Sequence, residues 1–220
     1  MNDFDYHRPE TLAQAVELLR TCSDPRLLAG GQSLLGALKL GLASASDLID
    51  LSRIAELKGI GGDSRMLRIG ATSSHAQVAA SPEVRQRIPA LAELADHIGD
   101  PSVRTMGTIG GSLANNDPAA CYPAAVLALA ASVHTDRRTI AADAFFTGLY
   151  STALEPGEIV TAVEFPVPRR AAYVKFTQPA SRFALVGVFV SDGAAGIRVA
   201  VTGAGPCVFR VPALEQALSR

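Results

Sequence analysis

The sequence has little of what disulfide scaffolds and metal clusters require. Its three cysteines lie far apart with no CxxC pair, at Cys22, Cys121 and Cys207. This spacing argues against a disulfide scaffold, a zinc site or an iron–sulfur cluster held by this chain alone. The four histidines also lack metal-ligand spacing. We therefore predict no metal site from the sequence.

A basic surface and a long apolar run are missing as well. Twenty Lys and Arg residues stand against 21 Asp and Glu residues, for a net charge of -1, whereas a protein that neutralises many phosphates carries a basic excess. No apolar run is long enough to predict a membrane span, and the acidic N-terminus does not resemble a secretory signal. Nucleic-acid and membrane binding are disfavoured, and we expect a cytoplasmic location.

What the chain does have is the composition of a folded protein. Its 220 residues are 48% hydrophobic and 19% charged, which is enough apolar material to bury a core. The first fifty residues predict a β-α-β unit, with strands at 27–29 and 47–51. Three glycines within residues 59–63 predict a boundary between subdomains.

The first of two glycine-rich segments joins a predicted strand to a predicted helix. Paired glycines at such a turn let the backbone approach a ligand, and successive N–H groups at a helix start bind anions. Residues 28–35 match neither a Walker loop nor GxGxxG. Taken alone, this segment favours a tight turn that binds nothing.

The second segment, residues 107–118, contains three glycines, two hydroxyl residues and three Asx residues. We predict a loop over 99–112. Arg104 could reach a phosphate or pair with Asp100, and we favour the pair. Two such segments could clamp a diphosphate from two sides, which suits a dinucleotide. The Asx residues at 115–117 fit turns and helix caps equally well.

Five motifs keep a fixed order along essentially the whole chain. They are FDYHRP at 4–9, LAGGQSL at 28–34, RTMGTIGGSLAN at 104–115, PGEIVTAV at 156–163 and AYVKF at 172–176. In these motifs the chain resembles the medium subunits of molybdenum hydroxylases, the family of carbon monoxide and xanthine dehydrogenases.

The resemblance implies an α+β fold. Its first part would be a two-subdomain FAD-binding fold of the vanillyl-alcohol-oxidase (PCMH) type, followed by a truncated C-terminal α+β domain. Subdomain 1 would cover residues 1–57, subdomain 2 residues 58–170, and the partial C-terminal domain residues 171–220. Because the family normally continues further, a shortened variant and an incomplete gene product both stay open.

Carried over by position, the resemblance also implies a set of FAD contacts. They are Ala29, Gly30, Gly31, Gln32, Ser33, Leu34, Thr108, Ile109, Gly110, Gly111, Ser112, Cys121, Ile159, Lys175 and Phe183. The glycine segments would bind the diphosphate, and Ile159, Lys175 and Phe183 would lie near the isoalloxazine. Phe183 often has a tyrosine counterpart. Cys121 stands where many relatives have Asp, and a thiol is a poor substitute as a hydrogen-bonding group.

The implied function is that of an FAD-binding electron-transfer subunit of an oxidoreductase. Substrate would be oxidised at a molybdenum cofactor on a large subunit, and electrons would pass through two [2Fe–2S] clusters on a small subunit to FAD on this chain. No catalytic side chain is then expected here. Two alternatives stay open: an assembly subunit that has lost FAD, and an unrelated phosphate-binding protein.

Overall fold

The computed structural model describes residues 3–220 and has the predicted α+β architecture. Its first sheet is parallel, in the order β1-β3-β2. The elements are β1 (Asp5–His7), α1 (Leu12–Thr21), β2 (Pro25–Leu28), α2 (Leu34–Lys39) and β3 (Asp47–Asp50). A capping box between Thr11 and Gln14 starts α1. The predicted β-α-β unit is therefore confirmed.

The second sheet is antiparallel and has five strands in the order β4-β5-β10-β6-β7. Its strands are β4 (Ile60–Gly62), β5 (Met66–Gly70), β6 (Ser132–Thr135), β7 (Thr139–Ala141) and β10 (Val160–Pro166). The short helix α9 (Ala142–Phe145) and a small hairpin, β8 (Phe146–Gly148) and β9 (Ser151–Thr152), lie between β7 and β10. The glycines at 59–62 therefore lead into and form the first strand of this sheet.

Six helices connect β5 to β6. They are α3 (His75–Ala80), α4 (Pro82–Arg87), α5 (Pro89–Asp96), α6 (Pro101–Met106), α7 (Ile109–Asn115) and α8 (Tyr122–Ala128). Every residue of α8 is buried, as expected of a helix that is apolar on all sides. Pro123 lies in its first turn, where the missing N–H removes no intrahelical hydrogen bond.

The third sheet has the order β11-β12-β13-β14 and is antiparallel. Its elements are β11 (Arg170–Thr177), β12 (Ala184–Gly193), β13 (Gly196–Thr202), β14 (Phe209–Arg210) and the final helix α10 (Pro212–Leu218). Helix α8 packs against β12 and β13. One hydrophobic core therefore includes Tyr122 and Phe165 together with Phe189 of the third sheet. The division at residue 170 stays a prediction, since this core is continuous across it.

The predicted loop over 99–112 is wrong, because α6 and most of α7 lie there. Asp100 caps α6 by accepting a hydrogen bond from the N–H of Val103 at 3.0 Å, and Pro101 follows at the first helical position. Thr108 caps α7 in the same way. The glycines of this segment led us to predict a loop, although two short, capped helices lie there.

The predicted Arg104–Asp100 pair is also wrong. Because the Asp100 carboxylate caps α6, Arg104 turns elsewhere and donates to the carbonyl oxygens of Ile98 and Gly99 at 3.3 and 3.0 Å. Its Nε lies 3.7 Å from the carboxylate of Asp96. Arg104 thus ties α6 to the end of α5. Over residues 3–220, no helix is both long and apolar enough to cross a membrane.

Candidate functional site

The first glycine segment makes a tight turn between β2 and α2. Gly31 has φ +72°, in the left-handed region that favours glycine. Gly30 touches the second glycine segment: a Cβ there would lie 2.1 Å from the carbonyl oxygen of Met106 and 2.8 Å from the Cα of Gly107. Because Gly30 has no side chain, the two segments can lie side by side.

The backbone of this turn presents free hydrogen-bond donors. Within residues 3–220, none of the N–H groups at positions 30–34 has an acceptor. Ser33, the residue before α2, makes no side-chain capping bond that would satisfy them. Successive unpaired N–H groups at the start of a helix form an anion-binding nest.

In the second segment, by contrast, the backbone donors are used inside the protein. The N–H of Gly110 donates to the carbonyl of Ala71 at 2.9 Å, and that of Gly111 donates to the Thr108 hydroxyl at 3.1 Å. The N–H of Ser112 donates to the Thr108 carbonyl at 3.0 Å. The interpretation that these glycines offer their N–H groups to a ligand is therefore wrong.

The glycines of the second segment serve packing and shape instead. A Cβ on Gly110 would lie 2.6 Å from the Cβ of Ala71, so glycine allows α7 to approach the end of β5. A Cβ on Gly111 would meet the Thr108 hydroxyl at 2.9 Å and the Cβ of Ala29 only at 3.9 Å. Gly111 therefore leaves space between the two segments.

That space opens into a cavity of about 590 Å³. All the sequence-predicted FAD contacts line this cavity except Ile109. Ile109 is a correction, because its side chain is fully buried in the main core and its N–H donates to the carbonyl of Ser73 at 3.1 Å. The cavity thus gathers residues from all three sheets and from the helices between them.

Cys121 and Lys175 meet at the cavity. Lys175 on β11 donates to the carbonyl oxygen of His97 at 2.7 Å, and its Nζ lies 3.5 Å from the Cys121 sulfur. Cys121 is buried directly before α8 and makes no capping bond. Cys121 therefore places a thiol beside the Lys175 amine at the wall of the cavity.

Ile159 is positioned by backbone and carboxylate contacts just before β10. Its N–H donates to the Asp136 carboxylate at 2.7 Å. The preceding residue, Glu158, is buried and accepts two bonds from the Arg138 guanidinium, both at 2.9 Å. This contact with Arg138, opposed by burial, holds the pKa of Glu158 at about 2. Glu158 is therefore ionised and engaged in holding this segment.

Phe183 lies in the turn between β11 and β12 and is half exposed. Gln178 orders this turn, because its N–H donates to the Phe183 carbonyl at 2.9 Å and its side chain accepts from the N–H of Ser181 at 3.0 Å. Phe183 lines the cavity. The turn is therefore fixed by contacts that do not involve the ring.

His75 is a lining residue that the sequence did not single out. It is only 5% exposed, and within the described chain its Nδ1 has no hydrogen-bond partner. Burial, with a smaller contribution from Arg104, lowers its pKa to about 4, so the imidazole is neutral near pH 7. Its sequence neighbours gave no signal, since a lone histidine after a strand is usually structural.

The comparison with known families agrees with this geometry. Residues 2–168 match the family described as "FAD binding domain in molybdopterin dehydrogenase". The chain belongs to this family. It is an FAD-binding medium subunit of the molybdenum hydroxylases and part of an oxidoreductase.

Individual relatives extend the match to nearly the whole of this chain and to about four-fifths of their own length. The chain is 39% identical to the carbon monoxide dehydrogenase medium chain of Hydrogenophaga pseudoflava, over 94% of this chain and 77% of that one. It is 36% identical to the nicotine 6-hydroxylase medium subunit of Paenarthrobacter nicotinovorans, over 97% and 79%. The solved carbon monoxide dehydrogenase from Hydrogenophaga pseudoflava superposes with a TM-score of 0.92 at 38% identity, covering 98% and 80%.

The residues of this medium subunit fit FAD. The nest at 30–34 offers unpaired donors of the kind that diphosphates accept from. The cavity beside it is large enough for a cofactor, and His75 places an unpaired buried nitrogen at its wall. The expected cofactor is therefore supported by the chain's own geometry as well as by its family.

Proposed function

We propose that this chain holds FAD with its diphosphate against the backbone of residues 30–34. The observation that carries this proposal is the row of N–H groups without acceptors at that turn, in the described part of the chain. Thr108 and Gly111 contribute by shaping the neighbouring wall, since their own contacts are internal. The diphosphate end of the cavity thus combines N–H donors of the first glycine segment with the space left by the second.

The isoalloxazine, at the other end of FAD, would be held by side chains. We assign this role to Ile159, Lys175 and Phe183, which line the same cavity. Ile159 supplies an apolar contact, Lys175 a positive charge, and Phe183 a ring able to stack. Cys121 lies beside Lys175 at 3.5 Å and takes the place of the family's Asp. The chemistry that FAD supplies when bound is electron transfer to an external acceptor.

The electrons come from partner subunits in this proposal. The relatives' names describe medium chains and medium subunits, which implies companions of other sizes. The chain's own cysteines are three separate free thiols, which is no ligand set for a [2Fe–2S] cluster. We assign the clusters to a small subunit and the molybdenum cofactor to a large one. The free thiols also fit a reducing, cytoplasmic compartment.

Equilibrium binding of FAD, FMN and riboflavin to the purified chain tests the cofactor assignment. If residues 30–34 bind the diphosphate, FAD should bind at least about 100-fold more tightly than riboflavin, because several charge-assisted hydrogen bonds are lost without it. Acid precipitation of the loaded protein should release FAD by mass. Equal affinity for the three flavins would refute the diphosphate role, and no flavin binding at all would favour an assembly subunit.

A pair of glycine variants makes the test specific. Gly111→Val should place a side chain in the space between the segments and weaken FAD binding by about 100-fold or more, with an unchanged circular dichroism spectrum. Gly36→Val is the matched control, since Gly36 lies on α2 with open space around its Cβ position. Unchanged FAD affinity in Gly111→Val would mean that FAD does not occupy the space beside Gly111.

A further inference from the structure

Three donor side chains from separate elements lie close together beside the first sheet. They are His7 on β1, Cys22 directly after α1, and Asp47 at the start of β3. The His7 Nε2 lies 2.7 Å from the Asp47 carboxylate and 4.0 Å from the Cys22 sulfur. One ligand atom from each residue falls within 4.8 Å of the others.

The carboxylate is held in place by its neighbours. Ser46 donates to the second Asp47 oxygen at 2.6 Å, which leaves the first oxygen facing His7. The Ser46 hydroxyl in turn accepts from the N–H of Asp24 at 2.9 Å. Such outer contacts are what orient the ligands of protein metal sites.

The surroundings of the thiol favour a cation. The Cys22 sulfur lies within 4.8 Å of a carboxylate oxygen of Asp47. A divalent cation at this point would be attracted by that carboxylate and would displace the thiol proton. The nearby arginines are engaged elsewhere: Arg8 with Asp50 and Arg26 with Asp24.

We propose that His7, Cys22 and Asp47 form a mononuclear site for a divalent transition-metal ion, with zinc as the best match. Zinc binds imidazole nitrogen, thiolate sulfur and carboxylate oxygen, at about 2.0–2.1, 2.3 and 2.0–2.2 Å. Tetrahedral bonds of these lengths separate the donor atoms by about 3.4–3.6 Å. The observed separations of 2.7 and 4.0 Å lie on either side of that range, so small side-chain rotations complete the site.

Three protein ligands leave a fourth position for water. None of the three residues lines the FAD cavity, so the site is independent of flavin binding. A bound ion would join β1, the end of α1 and β3, which are separated by up to forty residues along the chain. We infer that the ion stabilises the first sheet, and that it takes no part in the redox chemistry.

Metal content and X-ray absorption at the zinc edge test this site on the full-length chain. After chelator treatment, zinc addition and gel filtration, we expect one zinc per chain with a single sulfur ligand at about 2.3 Å. Cys22→Ser should lose the sulfur ligand and at least 10-fold in zinc affinity. Cys207→Ser, which changes the other partly exposed cysteine, should behave as the wild type.

Thermal unfolding provides the second readout. Zinc should raise the Tm of the wild type and of Cys207→Ser, because ligand binding to the folded state stabilises it, and should leave that of Cys22→Ser unchanged. The serine variant keeps the His7–Asp47 pair, so loss of the fold does not account for the difference. Failure to retain zinc, or a sulfur ligand that persists in Cys22→Ser, would overturn the proposal.

Discussion

The glycine-lined part of the cavity differs from the part lined by Ile159, Lys175 and Phe183 in how the chain builds it. In the first, short continuous segments place backbone atoms, and the contacts depend on where a Cβ is absent. In the second, side chains arrive from elements far apart in the sequence and are held by hydrogen bonds to other groups. Substitutions at the close backbone contact of the first part, at Gly30, should therefore damage the fold, whereas those in the second part should mainly affect the flavin.

The largest effect is expected for Gly30→Ala. The added methyl would lie 2.1 Å from the Met106 carbonyl oxygen, a contact that only backbone movement relieves. We expect the free energy of unfolding in urea to fall by about 3 kcal/mol and FAD binding to be lost. Gly36→Ala should instead stabilise by about 0.5–1 kcal/mol, because its Cβ meets open space in a helix. Equal stability of the two variants would contradict the close contact of the segments.

The same contrast explains which features were predictable from the sequence. The glycine segments are local, so their place after a strand and before a helix followed from periodicity and glycine content. The different roles of the two segments could not be predicted in this way. They depend on the contact between Ala71 and Gly110, which are some forty residues apart in the sequence. The caps of α6 and α7 were not recognised in the sequence, because the same glycines individually favour a loop.

The side-chain part was predictable only through family resemblance. Lys175 and Cys121 are 54 residues apart, and spacing carries no information about such a pair. His75 and Glu158 were missed for the same reason: their partners, Tyr122 and Arg138, are also distant in the sequence. The cluster of His7, Cys22 and Asp47 likewise has no recognisable spacing, because a parallel sheet rather than a local turn brings its members together.

Glu158→Gln should have the next largest effect. The pKa of Glu158 is depressed from 4.5 to about 2 in the folded protein, so its charge stabilises the fold above pH 4.5. That contribution, on the order of 2 kcal/mol after allowing for the half-exposed Arg138, is lost as the pH falls from about 4.5 to about 2. Urea titrations of both proteins across this range should converge towards pH 2. Parallel profiles would contradict the assigned pKa.

Lys175→Met should lower stability by about 1 kcal/mol, since it removes the hydrogen bond to the His97 carbonyl. Its larger consequence concerns the bound flavin. A nearby positive charge favours the reduced form, so its removal should lower the midpoint potential in a spectroelectrochemical titration. Lys175→Arg should keep the potential close to that of the wild type. The same potential in the methionine variant would place the ammonium group away from the isoalloxazine.

The smallest change in stability is expected for Phe183→Ala. Its ring is 49% exposed and takes no part in the bonds that order its turn, so the free energy of unfolding should change by less than about 0.5 kcal/mol. An aromatic ring stacked on the flavin contributes about 0.5–1.5 kcal/mol, so FAD affinity should fall by about 2- to 12-fold. Phe183→Tyr should retain that affinity because the ring remains. Phe176→Ala is the matched control, being an exposed phenylalanine of the same sheet that does not line the cavity. Equal FAD affinity in both alanine variants would mean that the flavin is held without Phe183, and that the backbone part of the cavity alone determines binding.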